Sequence, residues 1–191
     1  MPKIVVIGAG SVVFTRRLLG DILSFPALSD SRIALMDIDA ERLDFMTRLA
    51  NKMVKDSSVG ATIESTLSRT EALADSDYVV TTIRVGDSDE VDRGIPQRYG
   101  VDQAVGDTIG PGGVLKGLRT VPVLLDICKD MEEICPDAWL LNYTNPMAIA
   151  CWAINDATQI KTVGLCHSVQ NTARQLSEYI GVSPDEVTYW T

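Results

Sequence analysis

Two short stretches late in the chain carry the side chains best suited to acid–base or metal chemistry. Cys166-His167-Ser168-Val169 sets the one histidine of the sequence beside a thiol. An imidazole exchanges protons near neutral pH, and a thiolate is a nucleophile or a metal ligand. Sequence neighbours rarely point at each other and no orienting Asp or Asn is evident, which argues against a Cys–His nucleophilic pair. A zinc quartet is disfavoured too: the chain has no Cys-x-x-Cys, and its other cysteines fall on helical stretches. Cys166 is then either a buried apolar residue or one ligand of a metal completed from elsewhere, and Ser168 a simple helix cap. In the second stretch, Asn145-Pro146, proline suits a first helical position and asparagine the cap before it. The Asn145 amide can equally hold a substrate hydroxyl.

Near the start, Lys3-Ile-Val-Val-Ile-Gly8-Ala-Gly10-Ser11 reads as a buried strand, a tight turn and the opening of a helix. Such a turn lets backbone amides, with Val12 at the helix start, approach a pyrophosphate, and the helix dipole adds positive charge. Ser11 is placed to cap that helix or to donate to phosphate. The third glycine of a full G-x-G-x-x-G is replaced by Val13. Asp37 ends the next apolar run, where a carboxylate can accept the adenosine ribose hydroxyls and favour NAD over NADP. Thr82 and Ile83, at the end of the fourth strand, are assigned to the same cofactor site.

These residues need a scaffold that brings strand ends together, and the alternation of strand and helix patterns supplies one. Strands are expected at 3–8, 32–37, 61–66, 77–83, 138–142 and 161–165, and helices at 11–24, 39–55, 69–74 and 116–134. This is the rhythm of a six-stranded, doubly wound parallel α/β sheet of the Rossmann type, resembling lactate and malate dehydrogenase domains. An insertion at 84–115 interrupts it. Its stretch 101–113 holds four glycines and a proline, so neither helix nor regular strand is expected. A long irregular segment at a strand's carboxyl end reads as a lid or an interface loop, with Asp107 facing a polar ligand or merely shaping a turn. The final residues 186–191 alternate like a strand.

The formal charge of −9 over 191 residues excludes the basic stripe that a nucleic-acid partner needs. The basic pair Arg16-Arg17 reads as solvated helix surface. No apolar run reaches the ~18 residues of a membrane helix, and the early first strand leaves no room for a signal peptide, so the cytoplasm is expected. Cys128 and Cys135, ~10 Å apart along one helix, cannot form a disulfide. Asn142-Tyr-Thr is a glycosylation sequon in form only for such a chain.

Taken together, Gly8-Ala-Gly10-Ser11, Asp37-Ile-Asp39, Asn145-Pro146 and Cys166-His167-Ser168-Val169 resemble glycoside hydrolase family 4 along the whole chain. The Cys-His-Ser-Val quartet resembles its α-galactosidase branch. The family is an exception to the usual two-carboxylate glycosidases. The resemblance implies cleavage of a small-molecule α-glycoside by NAD-dependent oxidation at C3, elimination of the glycosidic oxygen from C1, and addition of water. A divalent metal, Mn²⁺, would act as Lewis acid. It further implies Cys166 as a metal ligand, Asn145 on substrate hydroxyls, His167 as general acid, and a homo-oligomer. The family's second metal ligand and its base are expected beyond Thr191, in a catalytic domain not included in this sequence, so the 191 residues alone are expected to bind NAD⁺ without turnover. A lactate/malate-type 2-hydroxyacid dehydrogenase shares the fold and the Asn-Pro pair, but His167 beside Cys166 does not suit its histidine base. An NAD-binding regulatory domain is the non-enzyme alternative.

Overall fold

Lys3–Ile7 (β1) is buried along its whole length, as a run of β-branched residues covered on both faces must be. In the computed structural model, which describes residues 1–86, 89–103, 108–166 and 168–189, β1 lies at the centre of a parallel sheet. The other strands are β2 (Arg32–Met36), β3 (Thr62–Thr66), β4 (Tyr78–Thr81), β5 (Trp139–Asn142) and β6 (Lys161–Gly164). Their order is β3-β2-β1-β4-β5-β6. The register sets Ile7 beside both Met36 and Thr81, and Thr81 beside Asn142, so four strands end level at one edge. The sheet order reverses beside β1, and ligands of open α/β sheets bind outside the carboxyl ends at such a point.

Side chains alternate across the sheet. Ile4, Val6 and Val80 face a layer formed by α1 (Val12–Ser24) and α2 (Ala40–Ser57), through Leu19, Leu23, Leu43 and Met46. Val5, Ile7, Val79 and Leu140 face α3 (Arg69–Leu73) and two longer helices described below. Each fully buried Leu, Ile or Met adds ~1.5–3 kcal/mol relative to exposure, so both layers are needed to hold β1 dry. Asp39 caps α2 by accepting from the amides of Glu41 and Arg42, both at 3.1 Å.

All six expected strands are present, within two residues at each end. The insertion differs from expectation. Asp89–Gly94 winds as a π turn, α4 follows at Ile95–Arg98, and α5 runs Gly110–Ile134, taking in the Gly-Pro-Gly-Gly stretch expected to be irregular. Pro111 sits in the first turn, where a missing N–H costs nothing. The Gln103 side chain accepts from Gly112 N at 3.3 Å and donates to Ile109 O at 2.9 Å, closing the helix start. A Cβ on Gly113 would stand 2.6 Å from the Thr108 carbonyl carbon. Gly113 therefore serves close packing rather than helix breaking.

Four further expectations are corrected. Ser11 occupies the cap position of α1 but makes no side-chain cap hydrogen bond. Pro146, in extended backbone conformation, holds the cap position of α6 (Met147–Ala157) in place of Asn145. Ser168 is the first residue of α7 (Ser168–Ile180) rather than its cap. Residues 187–189 are not strand: they follow a short 3₁₀ turn, Pro184–Glu186, and among the described residues no strand pairs with them.

Candidate cofactor and substrate edge

The turn after β1 is held by its own amides. Gly8 N and Ala9 N donate to Met36 O at 2.9 and 3.0 Å, and Ser11 N to Gly8 O at 3.1 Å. Gly8 has φ +90°, and a Cβ there would stand 2.9 Å from the Thr82 carbonyl, so only glycine fits. Thr82 Oγ1 donates to Gly8 O at 3.0 Å and fastens the turn to the end of β4. The amides of Val12 and Val13, in the first turn of α1, have no acceptor within the helix itself. No acidic side chain lies in that first turn, and Val12 and Val13 are exposed around it. The arrangement suits an anionic, partly apolar ligand such as a dinucleotide pyrophosphate.

Asp37 follows β2 directly. Its Oδ2 accepts from Gly10 N at 2.7 Å and its Oδ1 from Asp39 N at 2.9 Å. Gly10 leaves room for this contact, since a Cβ would come within 2.8 Å of both Asp37 Oδ2 and Arg42 Cβ. Each carboxylate oxygen keeps a second lone pair, so Asp37 is oriented by the backbone and still able to accept ribose hydroxyls.

At the other side of the edge, Ile83 N donates to Thr144 Oγ1 at 3.1 Å. Asn145 is half-buried in the loop leaving β5, and Cys166 is exposed just past β6. The structure thus brings Gly8, Gly10, Ser11, Val12, Asp37, Thr82, Ile83 and Asn145 to the carboxyl edge of the sheet, with Cys166 at the outermost strand. Asp107 and His167 lie outside the described residues. Among the described residues no group of three or more His, Cys, Asp or Glu could hold a metal ion, so Cys166 offers one donor and the described residues do not make a metal site. The other thiols are inert: burial and the charge of Glu132 push Cys128 up to about 12, and burial raises Cys135 and Cys151.

Arg16 and Arg17 are exposed, as expected. They line an open groove of about 520 Å³ between α1 and α2, together with a Lys52–Asp56 pair at 2.7 Å, and none of the assigned site residues borders it. Sequence reasoning missed two side-chain systems. One is the pair Arg119–Asp92, whose two bonds of 2.7 and 3.1 Å tie the π turn of the insertion to α5, with Arg119 Nε on Val85 O at 3.3 Å. The other is the buried cluster of Thr81, Asn142 and Thr144. Its one visible signal was a polar residue closing the apolar strand Trp139-Leu-Leu-Asn142.

A parallel sheet in this order, with a glycine turn opening α1 and an acid after β2, defines a Rossmann-type domain of the dinucleotide-binding class. Residues 3–182 match the description "Family 4 glycosyl hydrolase", and the chain belongs to that family. It is 45% identical over 190 residues to an α-galactosidase of Bacillus subtilis, covering 98% of this chain and 44% of that protein. It is 43% identical to an α-galactosidase of Rhizobium meliloti, covering 98% of this chain and 39% of that one. The solved structure of a Thermotoga maritima 6-phospho-β-glucosidase with manganese, NAD⁺ and glucose-6-phosphate superposes with a TM-score of 0.83 at 27% identity, over 97% of this chain and 45% of the other. The chain thus spans less than half the length of these relatives. Family membership leaves the dehydrogenase reading the less supported one. No described helix is long and apolar enough to cross a membrane.

Proposed function

We propose that this chain is the NAD-binding part of a family 4 glycosidase that cleaves α-galactosides with the help of NAD⁺ and a divalent metal. The observation that carries the reading is its high identity with two α-galactosidases along nearly its whole length. The glycine turn supports it, because it leads directly into the first turn of α1, whose N-terminus suits a pyrophosphate.

When bound, NAD⁺ supplies a transient oxidation of the sugar's C3 hydroxyl to a ketone, which acidifies the C2 proton and lets the glycosidic oxygen leave C1. The protein's task is to place the two partners. Gly8 and Gly10 clear the space for backbone approach, and Ser11 and Val12 present the helix start to phosphate. Asp37, already aligned by the amides of Gly10 and Asp39, accepts the ribose diol. Thr82 and Ile83, at the end of β4 beside the glycine turn, would line the same cofactor site. Asn145 holds substrate hydroxyls, and Asp107 on the insertion adds a polar contact as part of a lid over 84–115. By motif position His167 donates the proton to the leaving oxygen. Cys166 would contribute one thiolate donor to Mn²⁺; among the described residues no group of three or more His, Cys, Asp or Glu forms a complete site, and no step is routed through a metal.

Four free cysteines, two of them buried, support a cytoplasmic setting. Exposed Leu118 and Trp152 on neighbouring helices support a homo-oligomer. The test is hydrolysis of nitrophenyl α-galactoside by the full-length protein. Turnover is expected only with both NAD⁺ and Mn²⁺ present. Turnover without NAD⁺ would overturn the reading, and so would no glycoside cleavage together with NADH oxidation by pyruvate or oxaloacetate.

A further inference from the structure

The ends of β4 and β5 are joined by side chains as well as by the strand ladder. Thr81 donates its hydroxyl to Asn142 Oδ1 at 2.9 Å. The same oxygen accepts Thr144 N–H at 3.1 Å, and Asn142 Nδ2 donates to Thr144 O at 3.1 Å. Thr144 Oγ1 in turn accepts the Ile83 amide at 3.1 Å. The chain of bonds closes on itself through the backbone from Ile83 to Thr81. Thr81 and Asn142 are 0% exposed and Thr144 is 2% exposed, so water does not compete for these groups. A buried polar network that is satisfied in this way holds one conformation, because any alternative leaves a polar group unpaired.

Packing alone gives no reason for asparagine here. Leu140 and Leu141 precede it, and an apolar residue would continue the strand. What Asn142 adds is the backbone-like turn made when its Oδ1 accepts the amide two residues on, which holds Tyr143 and Thr144 beside the end of β4. The loop is fixed on a second side as well. The Tyr143 ring lies 6.2 Å from the Phe14 ring, in the first turn of α1. The residue that follows this doubly anchored pair is Asn145.

We propose that Asn142 and Thr144 are positioning residues for sugar binding: they lock the 143–145 loop onto Ile83 so that Asn145 meets its substrate in one fixed pose beside the cofactor turn. The proposal rests on the reading of Asn145 as the residue that holds substrate hydroxyls. Thr144 touches neither partner in this scheme; it acts through the loop and through the Ile83 amide.

The test uses full-length protein with NAD⁺ and Mn²⁺, comparing Thr144→Val, Thr144→Ser and Asn145→Ala. Valine keeps the shape of threonine but removes the acceptor for the Ile83 amide. Thr144→Val is expected to lower kcat/KM for nitrophenyl α-galactoside by ~10- to 100-fold, mostly in kcat, as a displaced binding group does. Hydrogen exchange at the Ile83 amide should speed up at least ~10-fold, since its bond is lost. Thr144→Ser should restore both, and NAD⁺ affinity should stay within ~3-fold of wild type throughout. Should Thr144→Val not fold, Thr81→Val replaces it. That change removes one donor while Asn142 Oδ1 keeps the Thr144 amide, and a ~3-fold loss is expected. Wild-type activity in Thr144→Val alongside an impaired Asn145→Ala overturns the proposal, as does failure of serine to rescue. An unimpaired Asn145→Ala instead overturns the reading of Asn145 on which the proposal stands.

Discussion

Replacing Gly10 with alanine probes the cofactor turn at its tightest point. The added Cβ would lie 2.8 Å from Arg42 Cβ and 2.8 Å from Asp37 Oδ2. Carbon contacts are comfortable only at ~3.5 Å or beyond, so a neighbour must move by more than half an ångström. Arg42 Cβ is close to the backbone of a helix capped by Asp39 and gives way poorly. The Asp37 carboxylate is the softer partner. Its displacement breaks the 2.7 Å bond from Gly10 N and disturbs the 2.9 Å bond from Asp39 N. Overpacking of this kind costs ~1–3 kcal/mol of stability. A charge-assisted bond from Asp37 to a ribose hydroxyl is worth ~1.5–3 kcal/mol, so its loss raises the Kd for NAD⁺ by ~10- to 150-fold. Gly20→Ala, within the α1 helix that follows the turn, is the control, because a Cβ there meets nothing within 4 Å. It should stabilise the fold by ~0.5–1 kcal/mol and leave NAD⁺ binding alone. Urea unfolding and calorimetric titration of the full-length protein read both quantities. A Gly10→Ala variant that binds NAD⁺ within ~2-fold of wild type would refute the argument, even if its stability had fallen as stated.

Asp92→Asn takes the negative charge out of the Arg119 pair; with Asp92 4% exposed the weakened charge-assisted bonds should cost ~1.5–3 kcal/mol in urea unfolding, and a loss under ~1 kcal/mol would contradict the clamp. Arg119→Lys should not substitute, because an ammonium cannot make both bonds to Asp92. The Cys128 thiol, raised from 9.0 to about 12, keeps its proton in the folded state where the unfolded chain releases it. Its contribution is therefore complete below pH ~9 and is lost as pH rises towards 12, so Cys128→Ala should flatten the fall in stability across that window. Iodoacetamide should label exposed Cys166 in the native protein but not buried Cys128. Cys166→Ala in the full-length protein should abolish Mn²⁺-dependent turnover; retained activity would remove the thiolate from the metal site.

The sheet was legible because its strands are short apolar runs, rich in β-branched residues, each followed by turn chemistry. Lys3-Ile-Val-Val-Ile7 can hardly be anything else in a chain that alternates with helical patterns. The glycine turn and Asp37 were legible for the same local reason. The start of α5 was not, because Gly110-Pro-Gly-Gly113 reads as a breaker unless the close approach of Thr108 and the closing role of Gln103 are known. The caps at Ser11 and Asn145 were placed by residue type, yet the actual backbone at Ser11 and the extended Pro146 put the side chains elsewhere. Arg119–Asp92 and Thr81–Asn142 join residues far apart in sequence, and periodicity carries no signal for such pairs. His167 and Asp107 were named from sequence and lie outside the described residues.

The Asn142-Tyr-Thr144 triplet has the form of a glycosylation acceptor, yet its amide is sealed inside the protein, 0% exposed and donating to Thr144 O. A sugar-transferring enzyme cannot reach it once the sheet has formed. It can reach it earlier, while the polypeptide is being threaded into a secretory compartment. A bulky glycan on Nδ2 leaves no room for β5 to close on β4, so the modified molecules are committed to misfold. Choice of production host therefore becomes a folding variable for this protein. Secreted from a glycosylating host, it should divide into a soluble fraction bare at Asn142 and an aggregated fraction carrying the sugar, a division that bacterial cytoplasm would not produce.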